Sequence, residues 1–359
     1  MKKLFGVLAL SASLASPLSA EAALQQLSNL FVFGDSLSDG GNSGLISQSV
    51  VPGLVYPPPP YWNGQYSNGP VAVEYLWNLY NPGDKSFKPS LAGGTNYAVG
   101  GATTGSTSFN SVSSTVPPFL QPAYVGTSNA GQLFGASPGF PGFFANQPAF
   151  DPATSLFTVW LFPNDVFNWA TTGTLPGAAV PGCGAPVNGN DAAALITNGV
   201  QNIVCTVLAL EAAGAQHFLV PNLPDLGSIP GAGPGGDPAY TALSAAFNAA
   251  LAGALTPLDN ADPSIEITQF DTFGLLHSVQ ANPGAYGFTN ATDACLYDPT
   301  CVSDPTMWNQ YVFWDEVHPT TRAHQIIGNA FYAAVPEPTS LSLLALSLFA
   351  VFGVQRRRS

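Results

Sequence analysis

Short, wholly apolar runs alternate with longer helical patterns along most of this chain. Leu30-Phe31-Val32-Phe33 is the first run; it ends in Gly34-Asp35-Ser36, the profile of a buried strand opening into a loop. Ser155 to Phe162 (SLFTVWLF) repeats that profile and ends at Pro163-Asn164-Asp165. From Asp191 to Ala213 the periodicity is helical, with Asp191 placed as an N-cap and Gly214 as the stop. His217-Phe218-Leu219-Val220, closed by Pro221, predicts a third strand. An Ala-rich helix from Tyr240 to Leu255 leads to a fourth, Ile265 to Phe270. Alternation of this kind predicts an α/β fold whose parallel sheet is covered on both faces.

Two stretches break the alternation. Ser106 to Pro152 is rich in Gly, Pro, Ser and Phe without clear periodicity. A segment of that length is either a functional lid or binding wall, or a loosely structured insertion. Gly231 to Gly236 (GAGPGG) lacks the flanking strand, helix and lysine of a phosphate loop, and reads as a turn.

The ends differ from the middle. Lys2 and Lys3, an apolar run from Leu4 to Leu14, and Ala20-Glu21-Ala22 have the order of a secretory signal cleaved near Ala23. At the other end, Val335-Pro336-Glu337-Pro338 precedes an apolar stretch from Leu341 to Val354 and then Arg356-Arg357-Arg358. That stretch is shorter than the ~20 residues a comfortable span needs. Motif, apolar run and arginines together resemble a PEP-CTERM sorting tail, which implies an exosortase-type processing enzyme as partner in a Gram-negative envelope. A permanent single-pass anchor is the plainer alternative. The expected organisation is therefore a leader over 1–22, one domain over 23–334 and a sorting segment over 335–359.

Charge sharpens once the ends are set aside. Between Ala23 and Val335 the basic residues are Lys85, Lys88 and Arg322, against 19 acidic ones. Such a surface repels phosphate backbones and anionic headgroups, so no nucleic-acid partner is expected, and membrane contact only through the unprocessed tail. Cys183, Cys205, Cys295 and Cys301 are an even set in an exported chain, and four cysteines allow three pairings. Cys295–Cys301, enclosing the turn-like LYDPT, is favoured, which leaves Cys183–Cys205. None stands at zinc-ligand spacing with a histidine; neither metal nor cofactor is expected.

The candidate chemistry lies where strands end. A serine hydroxyl attacks only when a neighbouring base takes its proton, and that base needs an acceptor to hold its tautomer. Asp315 and His318, three residues apart, suit the second requirement. The oxyanion then needs fixed N–H donors, for which turn glycines and an asparagine amide are suitable.

FGDSLSDGGN, NYAVGGAT, Pro163-Asn164-Asp165 and Asp315-Glu316-Val317-His318-Pro319 occur in one order along the chain. Together they resemble the four blocks of the GDSL family of SGNH hydrolases. Tyr66 to Pro70, Pro221 to Gly227 and Tyr286 to Asn290 add similarity between the blocks, so that the resemblance runs from Leu30 to Phe331. It implies a three-layer α/β/α flavodoxin-like fold and ester hydrolysis, with Ser36 as nucleophile and Asp315 and His318 completing the triad. Ser36, Gly101 and Asn164 would form the oxyanion hole.

The family usually places glycine two residues before the asparagine, where this chain has Phe162; its ring is expected either to narrow the acyl pocket or to displace Asn164. Asp35 is expected to order its turn, Asp39 and Asn42 to stabilise the following loop, and Trp308 and Trp314 to be core. His217, His277 and His324, with no acid at a matching offset, read as structural. The function expected is an exported esterase or lipase. A carbohydrate deacetylase or acyltransferase is the variant within that class. A catalytically silent exopolysaccharide-binding module is the alternative outside it.

Overall fold

A computed structural model describes Leu24 and residues 27–136 and 139–335. The leader, the apolar tail and its arginines lie outside the described residues. In chain order the elements are β1 (Asn29–Gly34), α1 (Asn42–Val50), α2 (Ala72–Tyr80), α3 (Asn129–Phe134), α4 (Phe143–Asn146), β2 (Ser155–Trp160), α5 (Pro163–Thr172) and α6 (Ala192–Ala212). They continue with β3 (His217–Pro221), α7 (Pro238–Ala261), β4 (Glu266–Phe270), α8 (Thr272–Ala281), β5 (Asn290–Ala294), α9 (Pro299–Ser303), β6 (Tyr311–Phe313) and α10 (Thr321–Ala334).

Strands β1 to β4 form one parallel sheet in that order, and β5 and β6 a separate parallel pair. Asn96 adds a parallel bridge to Val32 on the free side of β1. Counting that bridge as an edge, the order across the sheet is the flavodoxin-like one, in which a segment between the first two long strands sits outside the first.

Side-chain alternation explains why both faces are covered. Phe31, Phe33, Phe157, Val159 and Phe218 share one core with Ile203 and Val207 of α6 and Phe247 and Leu251 of α7. The intervening residues turn the other way, where the Trp160 and Phe270 rings meet Phe331 of α10 edge-on at 5.5 and 4.9 Å. A strand buried on both faces has no polar side to display, which is why these runs are apolar throughout. The expected Asp191 cap is present, its carboxylate accepting from Ala194 N–H at 2.9 Å. Cys183–Cys205 and Cys295–Cys301 are the disulfide pairs.

The described residues of segment 106–152 include regular structure. They carry α3 and α4, and bury Val116, Leu120, Tyr124 and Phe140 in a second core. Gln132 of α3 closes a two-way amide clasp on Gly34, donating to its carbonyl at 2.8 Å and accepting from its N–H at 2.9 Å. This segment thus fixes the strand end from which the Ser36 turn departs.

Phe162 is in neither of the places its position suggested. Its ring is fully buried between α6 and α7, stacked on Phe247 at 3.6 Å and 11°. A Cβ at Gly199 would stand 2.3 Å from that ring, so the close approach requires glycine there. The backbone at Phe162 has φ 126°, a conformation natural to glycine and strained for a side chain. The ring points away from the cavity described below, and it does not narrow it.

Replacing Phe162 by glycine would release strain of about 1–3 kcal/mol but empty a site whose loss costs about 3–5 kcal/mol. Phe162→Gly is expected to be less stable by roughly 2 kcal/mol in urea denaturation. A variant as stable as the parent would show that released strain offsets the loss of the stacked ring.

Candidate active site

The carboxyl end of β1 delivers a tight turn. Asp35 Oδ1 accepts from Leu37 N–H at 3.0 Å, and Ser38 N–H returns to Asp35 O at 3.1 Å, leaving Ser36 at the apex. Four residues on, the Asp39 carboxylate is fully buried. It accepts from Gly41 N–H and Asn42 N–H at 2.8 and 2.7 Å through one oxygen. Its other oxygen accepts from Ser43 Oγ at 2.6 Å and from Gly100 N–H at 2.9 Å. The Asn42 amide donates to Asn96 O and Ala98 O at 2.8 and 2.9 Å. The serine turn and the glycine loop are therefore one hydrogen-bonded body.

Gly101 follows with φ 81°, and a Cβ there would lie 2.4 Å from Asn110 Cγ. Asn110 holds this loop from behind, donating to Gly100 O and to Tyr66 Oη at 2.8 Å each. Among the described residues, neither the Ser36 nor the Gly101 N–H donates a hydrogen bond within the chain. Asn164, in the first turn of α5, is buried with its Nδ2 unpaired. All three line one cavity.

The last block closes the site from the other end of the sequence. His318 Nε2 stands 2.8 Å from Ser36 Oγ across 282 residues. Its Nδ1 stands 2.7 and 2.9 Å from the two oxygens of Asp315. With the proton on Nδ1, facing the carboxylate, Nε2 is left to accept from the serine. Asp315 also accepts from the backbone N–H groups of Val317 and His318 at 2.8 and 2.7 Å, and from Tyr61 Oη at 2.7 Å. Burial opposes its charge, but His318 and these donors outweigh burial and hold the carboxyl below its ordinary range. Ser67 Oγ on Pro319 O and Asn68 Oδ1 on Thr321 N–H, at 2.9 and 2.7 Å, tie this loop to residues 66–70.

Ser36, His318 and Asp315 thus meet, with Gly101 and Asn164 at the same cavity. Asp35 and Asp39 order their turns, and Trp314 is core beneath Tyr61 and Trp308. His324 fastens α10 to α2 by accepting from Ala72 N–H at 3.2 Å; burial holds its pKa down at about 3. His217 and His277 do meet acids that their sequence offsets hid, Glu266 at 3.1 Å and Asp225 at 2.8 Å. Neither lines the cavity. Tyr61 and Asn110 escaped the sequence reading because their partners are distant or local to a loop without a motif.

A family model for the GDSL-like lipase/acylhydrolase matches residues 30–331, nearly all of the described chain. The chain belongs to this family. It is therefore a hydrolase of GDSL type. A model of the PEP-CTERM protein-sorting motif matches residues 334–358, a signal for export and exosortase-type processing. A Pseudomonas putida protein encoded in a trpE–trpG intergenic region is 29% identical over 90% of this chain and 51% of its own length. Lipase 1 of Photorhabdus luminescens is 26% identical over 94% of this chain and 54% of its own length. The thermolabile hemolysin of Vibrio parahaemolyticus is 27% identical, over 86% and 64%. The GDSL chain thus spans about half to two thirds of these relatives. An acetyl xylan esterase structure aligns over 86% of this chain and 100% of its own at 14% identity and a TM-score of 0.35.

Three carboxyls near the site are pushed up to about 7, chiefly by burial: Asp35, Asp165 and Glu74. For Asp35, the Leu37 N–H, His318 and the nearby Asn164 amide only partly offset burial, although that amide makes no aligned bond to it. Unfolded carboxyls ionise near ~4, so between about 4 and 7 the folded chain keeps protons that the unfolded chain has lost. Their contribution is full below that window and declines as pH rises through about 7. Asp315, with a lowered pKa, weakens the fold only in acid. The melting temperature is expected to fall from pH 5 to pH 8, with a shallower fall in Glu74→Gln. A flat profile over that range would mean that these carboxyls ionise in the fold as they do in the unfolded chain.

Proposed function

We propose that this chain is an exported serine hydrolase of carboxylic esters, with Ser36 as nucleophile, His318 as general base and Asp315 as its orienting carboxylate. The observation that carries the reading is the continuous hydrogen-bond line from Asp315 through His318 to Ser36 Oγ. As Oγ bonds to the ester carbonyl carbon, His318 Nε2 takes the hydroxyl proton and Asp315 stabilises the imidazolium. The carbonyl oxygen becomes an oxyanion, for which the free N–H groups of Ser36 and Gly101 and the unpaired Asn164 amide are the available donors. Collapse breaks the ester C–O bond, and His318 returns the proton to the leaving alcohol. A water then attacks the acyl group on Ser36 with His318 again as base, releasing the acid.

The unpaired Asn164 amide supports its assignment. The amide lies beside the Asp35 carboxyl but makes no well-aligned hydrogen bond in the chain, so it is open to a better-placed acceptor such as an oxyanion. The hydrolase unit is taken to extend over 23–334, after a leader removed near Ala23 and before the sorting segment. The lipase name of the Photorhabdus relative supports ester chemistry at 26% identity. No metal or cofactor enters any step.

Ser36→Ala is expected to lower ester turnover by a factor on the order of 10³ or more with the circular dichroism unchanged. An alkyl fluorophosphonate should label the parent at Ser36 and leave the variant unlabelled. A folded Ser36→Ala protein with near-normal turnover would overturn the assignment, and an unlabelled parent would favour a silent binding module.

Asn164→Ala is expected to lower kcat by roughly 10²-fold with little change in KM, because the donor acts once charge has developed. Unchanged kcat would remove Asn164 from the oxyanion hole.

A further inference from the structure

Two carboxyls follow β1, and the chain surrounds them differently. Asp35 and Asp39 are both fully buried. Asp39 accepts from the N–H groups of Gly41, Asn42, Ser43 and Gly100 and from Ser43 Oγ. Asp35 accepts through Oδ1 from Leu37 N–H at 3.0 Å, and its Oδ2 has no partner. A buried carboxylate is costly unless several donors meet it. The donors that would hold an anion are present at Asp39 and missing at Asp35.

One such donor stands close by. The Asn164 amide lies beside the Asp35 carboxyl and favours its charge, without the alignment of a hydrogen bond. Its Nδ2 is itself buried and unpaired, so an acceptor and a donor that lack partners are neighbours. Asn164 borders the cavity and Asp35 does not. The backbone beneath the amide is fixed, because the next carboxyl, Asp165, accepts from Thr104 N–H at 2.8 Å. The amide can therefore move only by turning about its own side-chain bonds.

We propose that Asp35 is a positioning residue for ester hydrolysis, which sets whether the Asn164 amide is open to the oxyanion or drawn back from it. The proposal rests on the ester-hydrolase reading and adds a control on its oxyanion hole. With its proton on, the Asp35 hydroxyl oxygen is a weak acceptor, and the amide stays at the cavity. Without the proton, Oδ2 is an unpaired buried anion, and a charge-assisted bond to Nδ2 is roughly twice as strong as a neutral one. Forming it turns the amide away from the cavity.

Two titratable groups act on Asp35. His318, in the loop before α10 with Asp315 on its far side, favours the charge when it is an imidazolium; Asp165 of α5 opposes it. Burial outweighs His318 and the donors and pushes the Asp35 carboxyl up to about 7. The folded carboxyl is thus neutral below about 7 and ionised above it, so the asparagine donor is lost as pH rises through that value.

The test compares kcat for p-nitrophenyl butyrate across pH in the unaltered protein, Asp35→Asn and Asn164→Ala. Asp35→Asn keeps an acceptor for Leu37 N–H, cannot ionise, and sets a donor opposite Nδ2. In the unaltered protein kcat is expected to fall roughly tenfold between about pH 7 and pH 9, within the roughly 10²-fold that loss of the donor allows. The fall is expected to be absent from both variants. No fall in the unaltered protein, or a fall that persists in either folded variant, overturns the proposal. Persistence in Asn164→Ala alone would mean that the Asp35 charge acts on the oxyanion directly.

A second readout needs no substrate. In 15N-labelled protein the Asn164 side-chain amide signal, identified by its loss in Asn164→Ala, is expected to shift with a midpoint near about pH 7 and to stay fixed in Asp35→Asn. A signal that does not titrate overturns the proposal even where esters are hydrolysed. Turnover of no ester overturns the hydrolase reading, and the amide signal alone then decides whether Asp35 draws Asn164 back. Should Asp35→Asn fail to fold, the Asn164→Ala profile and the amide titration of the unaltered protein decide, with the same two outcomes.

Discussion

The site depends on one buried carboxyl, that of Asp39, whose pKa burial pushes up against the donors around it. Among the described residues, Asp39 has no counterion within hydrogen-bonding distance. It is kept inside by donors from its own loop and by Gly100 N–H, 61 residues away in sequence. A buried carboxylate left short of partners is costly, so each donor is held where it is. The carboxylate cannot be satisfied unless the turn after β1 and the glycine loop are in register. Ser36 and Gly101 flank that contact and inherit its position. Their own N–H groups are the ones the network leaves unused.

A second arrangement works in the same manner. Asp315 gathers two backbone amides, the His318 ring and the Tyr61 hydroxyl around one carboxylate, so the imidazole has a single orientation open to it. Tyr61 belongs to a loop that also borders the cavity. The cavity wall and the alignment of the imidazole therefore share a side chain. The segment 106–152 does comparable work from the other side, through the Gln132 clasp on Gly34 and the Asn110 prop beneath the glycine loop.

Much of this was legible in the residues. The strands announce themselves because burial on both faces removes polar positions, and the Asp191 cap because a short carboxylate before an apolar period has little else to do. Ser36, Gly101, Asn164, Asp315 and His318 stood out through ordered motifs. What escaped depends on long-range contact. Nothing near Tyr61 signals a carboxylate 254 residues on, and the acids beside His217 and His277 arrive from other strands and loops. Phe162 was misplaced for a different reason. A bulky residue at a glycine position suggests an intrusion into the nearest cavity, whereas its positive φ swings the ring back between α6 and α7, where Gly199 makes room.

The partners Ser36 and His318 lie near opposite ends of the described chain, and this has a consequence in time. Local helices form early, but closing a loop of 282 residues waits for the sheet to assemble and α10 to dock. A chain still being made has Ser36 without His318. The proposed hydrolytic pairing would therefore arise only after the whole fold has closed, and until then the polymer is inert.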